Sequence, residues 1–539
     1  MINRLQDYLT RSAERDADAG ALVMADERMS YGALEADTNR WARLMQEFGC
    51  GGGKRVCVLA SKTQRTVASL LAVLKAGGVY VPVDSASPAA RVARIFDSAQ
   101  PSLVLVDESA IPLVDGLIDA GALSRLPAPI GSVDGPLVGD RFTTQFCWSD
   151  AAASSADPVP NRRSPEDLAH LLFTSGSTGV PKGVMITHAN VVAFVEWAVR
   201  YFGTRPSDRI SGHPPLHFDL STFDIFATLA AGAELHLVPG NLSVNPRALA
   251  AMIRDHQLTQ WFSVPSVLTY LAKFDVIAQD DFPALERLLW CGEVLPTPVL
   301  VHWMRRLPHV RFTNLYGPTE ATIASSYYTV PACPDDETAS ILIGTPCAGE
   351  NLLVLDQELT PTLPGEIGEL YICGVGLSPG YWRDAEKTEA AFVTRPDAPG
   401  GRIYRTGDLA RRGEDGLVHF LGRADSQIKS RGYRIELGEI EAAVNAQPGV
   451  RECAVVGVDV GGFEGTTICC AFSVADGVEL QPLALRTAVS TLLPAYMLPA
   501  RWREWDALPK NVNGKIDRTQ LKSSFTREMA APGRPVVES

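Results

Sequence analysis

The chain has 539 residues, 46% apolar and 21% charged, which is ordinary globular composition and too long for a single hydrophobic core. Its formal net charge of -13 argues against a nucleic-acid surface, which would concentrate Lys and Arg. Ten cysteines lie without C-x-x-C pairs or metal-ligand spacing, so neither a disulfide framework nor a zinc site is expected, and a reduced, cytoplasmic compartment is the simplest reading.

The N-terminal "MINRLQDYLTRSAERDADAG" is charged and lacks the apolar core of a secretion signal. No apolar run approaches the ~20 residues that cross a bilayer, so no membrane association is expected. From Arg55 the sequence alternates short apolar strands with amphipathic helices: "RVCVLAS", "RTVASLLAVLKAGG", "PSLVLVD", then "AELHLVP", "PRALAAMIRDHQ" and "LERLLWCG". That alternation predicts α/β layers with largely parallel strands. Beyond Ile343, "GEIGELYICG" and "DGLVHFLGR" predict an antiparallel β unit. A final α+β segment carries "ECAVVGVDV" and "TICCAFSV", with a break near Asp425 that divides the chain into 1–424 and 425–539.

The stretch "FTSGSTGVPKGV" packs three glycines, four hydroxyl residues and Lys182 into twelve positions. Glycines let backbone N–H groups approach an anion, hydroxyls add donors and the lysine balances charge, so a triphosphate fits. It is not the common phosphate loop, because Pro181 precedes Lys182 and Gly183 follows it. The apolar "AHLLFT" before it and the helical spacing of "THANVVAFVEWAVRYF" after it predict strand, loop, helix. A flexible linker would lack that framing.

Taken together, "LKAGGVYVPVD", "FTSGSTGVPKG", "NLYGPTE", "GELYICGVGLSPGYW", "YRTGDLARRGEDG", "GRADSQIKSRGYRIELGEIE" and "NGKIDR" resemble, in order, the ANL superfamily of adenylate-forming enzymes, and most closely the amino-acid adenylation domains of nonribosomal peptide synthetases. The resemblance implies a large N-terminal domain of layered α/β subdomains with a β-barrel-like subdomain, and a small mobile α+β C-terminal domain. It also implies the reaction: an amino-acid carboxylate attacks the α-phosphate of ATP, and a thiol then takes the acyl group.

By family position, Thr174, Ser175, Gly176, Ser177, Thr178, Gly179 and Lys182 bind the phosphates. Tyr316 stacks on adenine, Thr319 touches phosphate and Glu320 holds Mg²⁺. Asp408 and Arg423 hold the ribose, and Lys515 is the catalytic lysine. Asp425 is the hinge about which the small domain turns to present Lys429 and Gly432 for thiol transfer. Taken singly, "YGPTE" could be a tight turn and Lys515 a surface lysine.

"HFDLSTFDIF" places Asp219 where the family holds the substrate ammonium, with Asp224 as its competitor. The remaining pocket would be Leu220, Phe223, Ser263, Leu289, Cys291, Leu315, Ile323 and Ala324, mostly apolar and uncharged, which implies an uncharged substrate. Cys291 in "WCGEVLP" resembles the D-alanine:carrier-protein ligases and points to alanine, glycine or serine. His217 stands where many members have a smaller residue, which leaves a β-amino acid open. With no carrier, condensation or thioesterase motif, the expectation is a stand-alone amino acid:carrier-protein ligase working with a separate phosphopantetheine-bearing carrier, ATP and Mg²⁺; its rivals are an acid:CoA ligase and an idle nucleotide-binding regulator.

Overall fold

Runs such as Val56–Leu59 and Leu103–Val106 are apolar at every position because both faces of their strands are covered. They belong to a seven-stranded sheet in the computed structural model, which describes residues 2–123, 128–161, 163–176, 180–395, 397–424, 427–459, 466–475, 477–511 and 516–530. Among these residues the strand order is Phe146–Cys147, Ile130–Ser132, Leu103–Val106, Arg55–Leu59, Val79–Pro82, Leu168–Thr174 and Lys182–Thr187. All neighbours are parallel except the last pair.

A nine-stranded sheet holds Arg209–Gly212, Glu234–Leu237, Gln260–Ser263, Arg287–Cys291 and Arg311–Tyr316 in its parallel centre. Between the two sheets lies one apolar core that includes Trp41, Leu71, Phe194 and Phe226 from four helices. Local signals set those helices. Thr187 and Asn190 form a reciprocal cap at the start of His188–Phe202, and Gly203 ends the helix at φ 63°. Thr63 caps Gln64–Lys75 by accepting from the Thr66 N–H.

One sequence expectation needs correction. The glycine loop does not run from a strand into a helix; a second strand, Lys182–Thr187, intervenes and pairs back so that Thr174 faces Lys182. "KGVMIT" buries Gly183, Val184, Ile186 and Thr187 and lacks the strict alternation that would mark it as a strand, and the strong helical pattern following it obscures it further.

Beyond Ile343 the expected antiparallel unit is built on Glu350–Leu355, Ile367–Gly374, Arg402–Arg412 and Val418–Arg423. In the C-terminal part Thr466–Val474 is the central strand between Val450–Asp459 and Arg501–Glu504, and the helix Leu437–Asn445 packs against Val450–Asp459. A separate hairpin, Gln427–Ser430 with Tyr433–Glu436, projects from it towards the N-terminal sheets. No helix among the described residues is long and apolar enough to cross a membrane.

Candidate active site

The antiparallel pair Leu168–Thr174 and Lys182–Thr187 holds the glycine loop by both ends. Ser177, Thr178 and Gly179 lie outside the described residues. Gly176 admits no side chain, because a Cβ would run into the Val180 carbonyl. The Thr174 hydroxyl is buried without a hydrogen-bond partner, which suits a donor awaiting an anion. Lys182 places its Nζ 5.1 Å over the Tyr381 ring and 3.8 Å from Glu436, and burial lowers its pKa.

Glu320 sits in the short turn Thr319–Ala321 and is fully buried. Tyr381 donates to its Oε1 at 2.7 Å, and Arg434 Nη1 lies 2.9 Å from both carboxylate oxygens. Burial pushes the carboxyl pKa up, but the Arg434 and Lys182 cations outweigh it and hold Glu320 at about 2. The two residues after the turn, Thr322 at φ 56° and Ile323 at φ 68°, are β-branched and left-handed, a strained backbone that the Thr322 hydroxyl bond to the Gly376 carbonyl at 2.7 Å helps to hold.

A permanently ionised lone carboxylate suits Mg²⁺, which takes one or two protein carboxylates and completes its shell with phosphate oxygens and water. No cluster of three or more metal-binding side chains exists among the described residues, so a cation here would take most of its shell from phosphate oxygens and water.

Arg434, Glu436 and Glu439 were not singled out from the sequence, yet they fill the places that a metal–phosphate group would take. Arg434 pairs with Glu320. Glu439 accepts the Gly176 N–H at 3.3 Å and a buried ion pair from Arg91, and Glu436 faces Lys182. The Ser175 hydroxyl donates to the Arg434 carbonyl at 2.6 Å. The local pattern gives only their elements: "YRIELGEIE" runs as a strand and then opens a helix, which does not say what its charges meet.

Asp408 and Arg423 are cross-strand partners, with Arg423 Nη1 2.6 Å from Asp408 Oδ1, and the Tyr316 hydroxyl donates to the other oxygen. Each oxygen keeps a lone pair for a ribose hydroxyl. Tyr316 is buried, with Lys429 Nζ 5.7 Å from its ring centroid, so Lys429 and an adenine base would share that ring.

Asp219 opens the helix Asp219–Ala231, with the Thr319 hydroxyl and the Lys429 charge close enough to favour its ionised form. Burial pushes its pKa up to about 6. It lines a cavity of about 130 Å³ together with Thr174, Ser175, Cys291, Thr319, Asp408 and Arg434, so one space joins the phosphate-loop, ribose and ammonium candidates. Asp224 lines no such space; its carboxyl is buried without partners and pushed well above the usual range, with Lys62 as its nearest opposing charge.

All seven apolar candidates belong to one buried core; Leu220 and Cys291 also line the cavity, and Phe223, Leu289, Leu315, Ile323 and Ala324 do not. Phe223 is fixed edge-on against Phe194 and Phe262. Ser263 is fully buried but accepts the Trp261 indole N–H at 2.9 Å and donates to the Val264 carbonyl; Phe262, between them, turns to the core shared with Leu289. Gly432, at φ 82°, donates its N–H to Glu293 at 2.9 Å, and a Cβ there would lie 2.7 Å from Val264. Asp425 and Lys515 lie outside the described residues.

Comparison with known proteins shows the family. The chain is 35% identical over 539 residues to an L-proline--[L-prolyl-carrier protein] ligase of Streptomyces coelicolor, covering 99% of this chain and 98% of that one. It is 33% identical over 533 residues to tyrocidine synthase 3 of Brevibacillus parabrevis, of whose length it spans only 8%. The structure of the amide bond synthetase McbA from Marinactinospora thermotolerans superposes with a TM-score of 0.84 at 26% identity, over 96% of this chain and 99% of that one. The AMP-binding enzyme family model matches residues 9–382, and the AMP-binding enzyme C-terminal domain matches 439–515. The chain belongs to the AMP-binding enzyme family.

Proposed function

We propose that the protein activates a compact, uncharged amino acid as its aminoacyl-AMP and passes the acyl group to the phosphopantetheine thiol of a separate carrier protein. One observation carries this reading: Asp219 and Thr319 line the same cavity while Glu320, next to Thr319 in the same short turn, feels the charge of Lys182, so an ammonium site and a metal–phosphate site adjoin across one turn. A bound amino acid anchored at Asp219 directs its carboxylate at the α-phosphorus between them.

Asp219 holds the ammonium, the glycine-loop donors and Lys182 hold phosphate oxygens, and Asp408 with Arg423 holds the ribose. Glu320 would hold Mg²⁺, which neutralises phosphate charge when bound. Lys515, assigned by resemblance, bridges the carboxylate and α-phosphate oxygens as negative charge grows. The apolar Leu220 and Cys291 on the cavity wall support an uncharged side chain. On this reading the candidates are alanine, glycine or serine, to which the proline named for the ligase relative is added.

Exchange of labelled pyrophosphate into ATP across an amino-acid panel tests this. Exchange is expected with alanine, glycine, serine or proline and not with aspartate or lysine. Exchange only with β-amino acids, or acyl transfer to free CoA in preference to a pantetheinylated carrier, would replace the proposed substrate or acceptor.

The same charges explain a two-state cycle. With Arg434 on Glu320 and Glu439 on the glycine loop, the C-terminal residues occupy the partners of the metal and phosphates, so they must withdraw for adenylation and return for transfer. Arg434→Met is therefore expected to lower transfer from preformed aminoacyl-AMP by about tenfold or more relative to pyrophosphate exchange. Single-turnover assays of each half-reaction check the ratio.

The Asp219 pKa sets a pH limit. The carboxylate form pairs with the ammonium, and protonation removes it as pH falls through about 6. The amino-acid KM is expected to rise by about tenfold per pH unit below that point, read from exchange kinetics between pH 5 and 8.

A further inference from the structure

We propose that His217 is the catalytic base of the acyl-transfer half-reaction, taking the proton of the incoming carrier thiol at the junction of two cavities. The proposal rests on the adenylation reading above and adds a residue to its second step.

The larger cavity, about 1240 Å³, opens beside the exposed Val244 and Phe274 and is lined by Ser266, Tyr270 and Arg431. The smaller one holds Asp219 and the phosphate-loop residues. Six residues line both: Pro82, Val83, Asp84, His217, Phe218 and Tyr433. A thiol on a long flexible arm entering the larger space therefore meets the acyl carbonyl beside these six.

Three of the six can carry a proton. Burial pushes the Tyr433 hydroxyl further up, away from a basic form. The Asp84 carboxylate is occupied in its own turn, accepting from the Ala86 N–H at 3.0 Å and the Ser87 hydroxyl at 3.3 Å. His217 remains. Its ring is held by packing, edge-on to Phe218 at 5.0 Å and 6.3 Å from Tyr433, and its Nε2 is buried with no hydrogen-bond partner. A merely structural buried histidine usually has its nitrogens paired. His213 also lacks partners, but it lines only the larger cavity and lies against Trp261.

The charges around His217 favour the task. Burial lowers its pKa and keeps the imidazole neutral, Asp84 opposes that shift and stabilises the imidazolium once formed, and Lys62 reinforces the neutral form. Lys62 donates to the carbonyls of Gly212, His213 and Pro214 and lines the same larger cavity. Arg431 and Tyr433 approach from the hairpin, with Tyr496 stacked on Tyr433 at 3.5 Å, and Asp219 lies two residues on.

In the step, the S–H bond breaks and its proton passes to the ring nitrogen facing the cavity. The sulfur electron pair forms the C–S bond, and the C–O bond to AMP breaks with its pair leaving on the phosphate. The imidazolium then returns its proton to solvent.

The test uses the full-length enzyme, pantetheine as the thiol probe and the two half-reactions measured separately. His217→Gln is expected to lower single-turnover transfer at pH 7 by about 10²–10³-fold while exchange changes by less than tenfold, with the deficit shrinking towards pH 9 as thiolate forms unaided. Added imidazole is expected to restore transfer in His217→Ala. A transfer rate equal to wild type, a deficit that is the same at pH 7 and pH 9, or equal losses in both half-reactions would overturn the assignment. No amino-acid-dependent exchange in the wild-type protein would overturn the adenylation reading itself, so the two failures are distinguishable.

Discussion

Glu320→Gln is expected to reduce amino-acid-dependent pyrophosphate exchange by about 10³-fold with little change in amino-acid affinity. Glu320 is fully buried yet ionised to about pH 2 because Arg434 and Lys182 surround it. The amide keeps the shape and the Tyr381 contact but removes the charge, so the loss isolates electrostatics from packing. Exchange kinetics with saturating ATP read the effect, and an unchanged far-UV spectrum shows that the fold survives. A loss below tenfold would mean that Glu320 serves the Arg434 pair and not the nucleotide.

Asp219→Ala is expected to lower kcat/KM for the amino acid by about 10²–10³-fold, the usual result of removing one partner of a buried charge pair. The KM for ATP should move little, because Asp408 and the glycine loop bind the other end. The analogous acid without its amino group should gain relative to the amino acid, since the variant no longer leaves an unpaired carboxylate facing it. Asp224→Asn, at the competing carboxylate, should leave that preference in place.

Most of the layered fold was legible because its strands are uniformly apolar and its helices carry strong caps; Leu103–Val106 and His188–Phe202 are where their patterns place them. The strand Lys182–Thr187 was missed because its burial does not alternate and the helix after it dominates the pattern. Of the site, Asp219, Thr319 and Asp408 could be placed by motif and lie in one cavity. The pocket lining was less legible: on a strand, side chains alternate in direction, so whether Ser263 or Phe262 faces the substrate side is decided by a one-residue register that only the sheet pairing reveals. Arg434 and Glu439 were hidden for a different reason. Their role depends on where one domain rests against the other, and no local pattern encodes that.

Oxygen tracing tests the central claim most directly. With an amino acid labelled by ¹⁸O in both carboxylate oxygens, attack on the α-phosphorus predicts one ¹⁸O in the AMP released after transfer to thiol, and none in pyrophosphate. Unlabelled AMP, or label appearing in inorganic phosphate or pyrophosphate, would contradict a carboxylate held between Asp219 and Glu320 as the nucleophile.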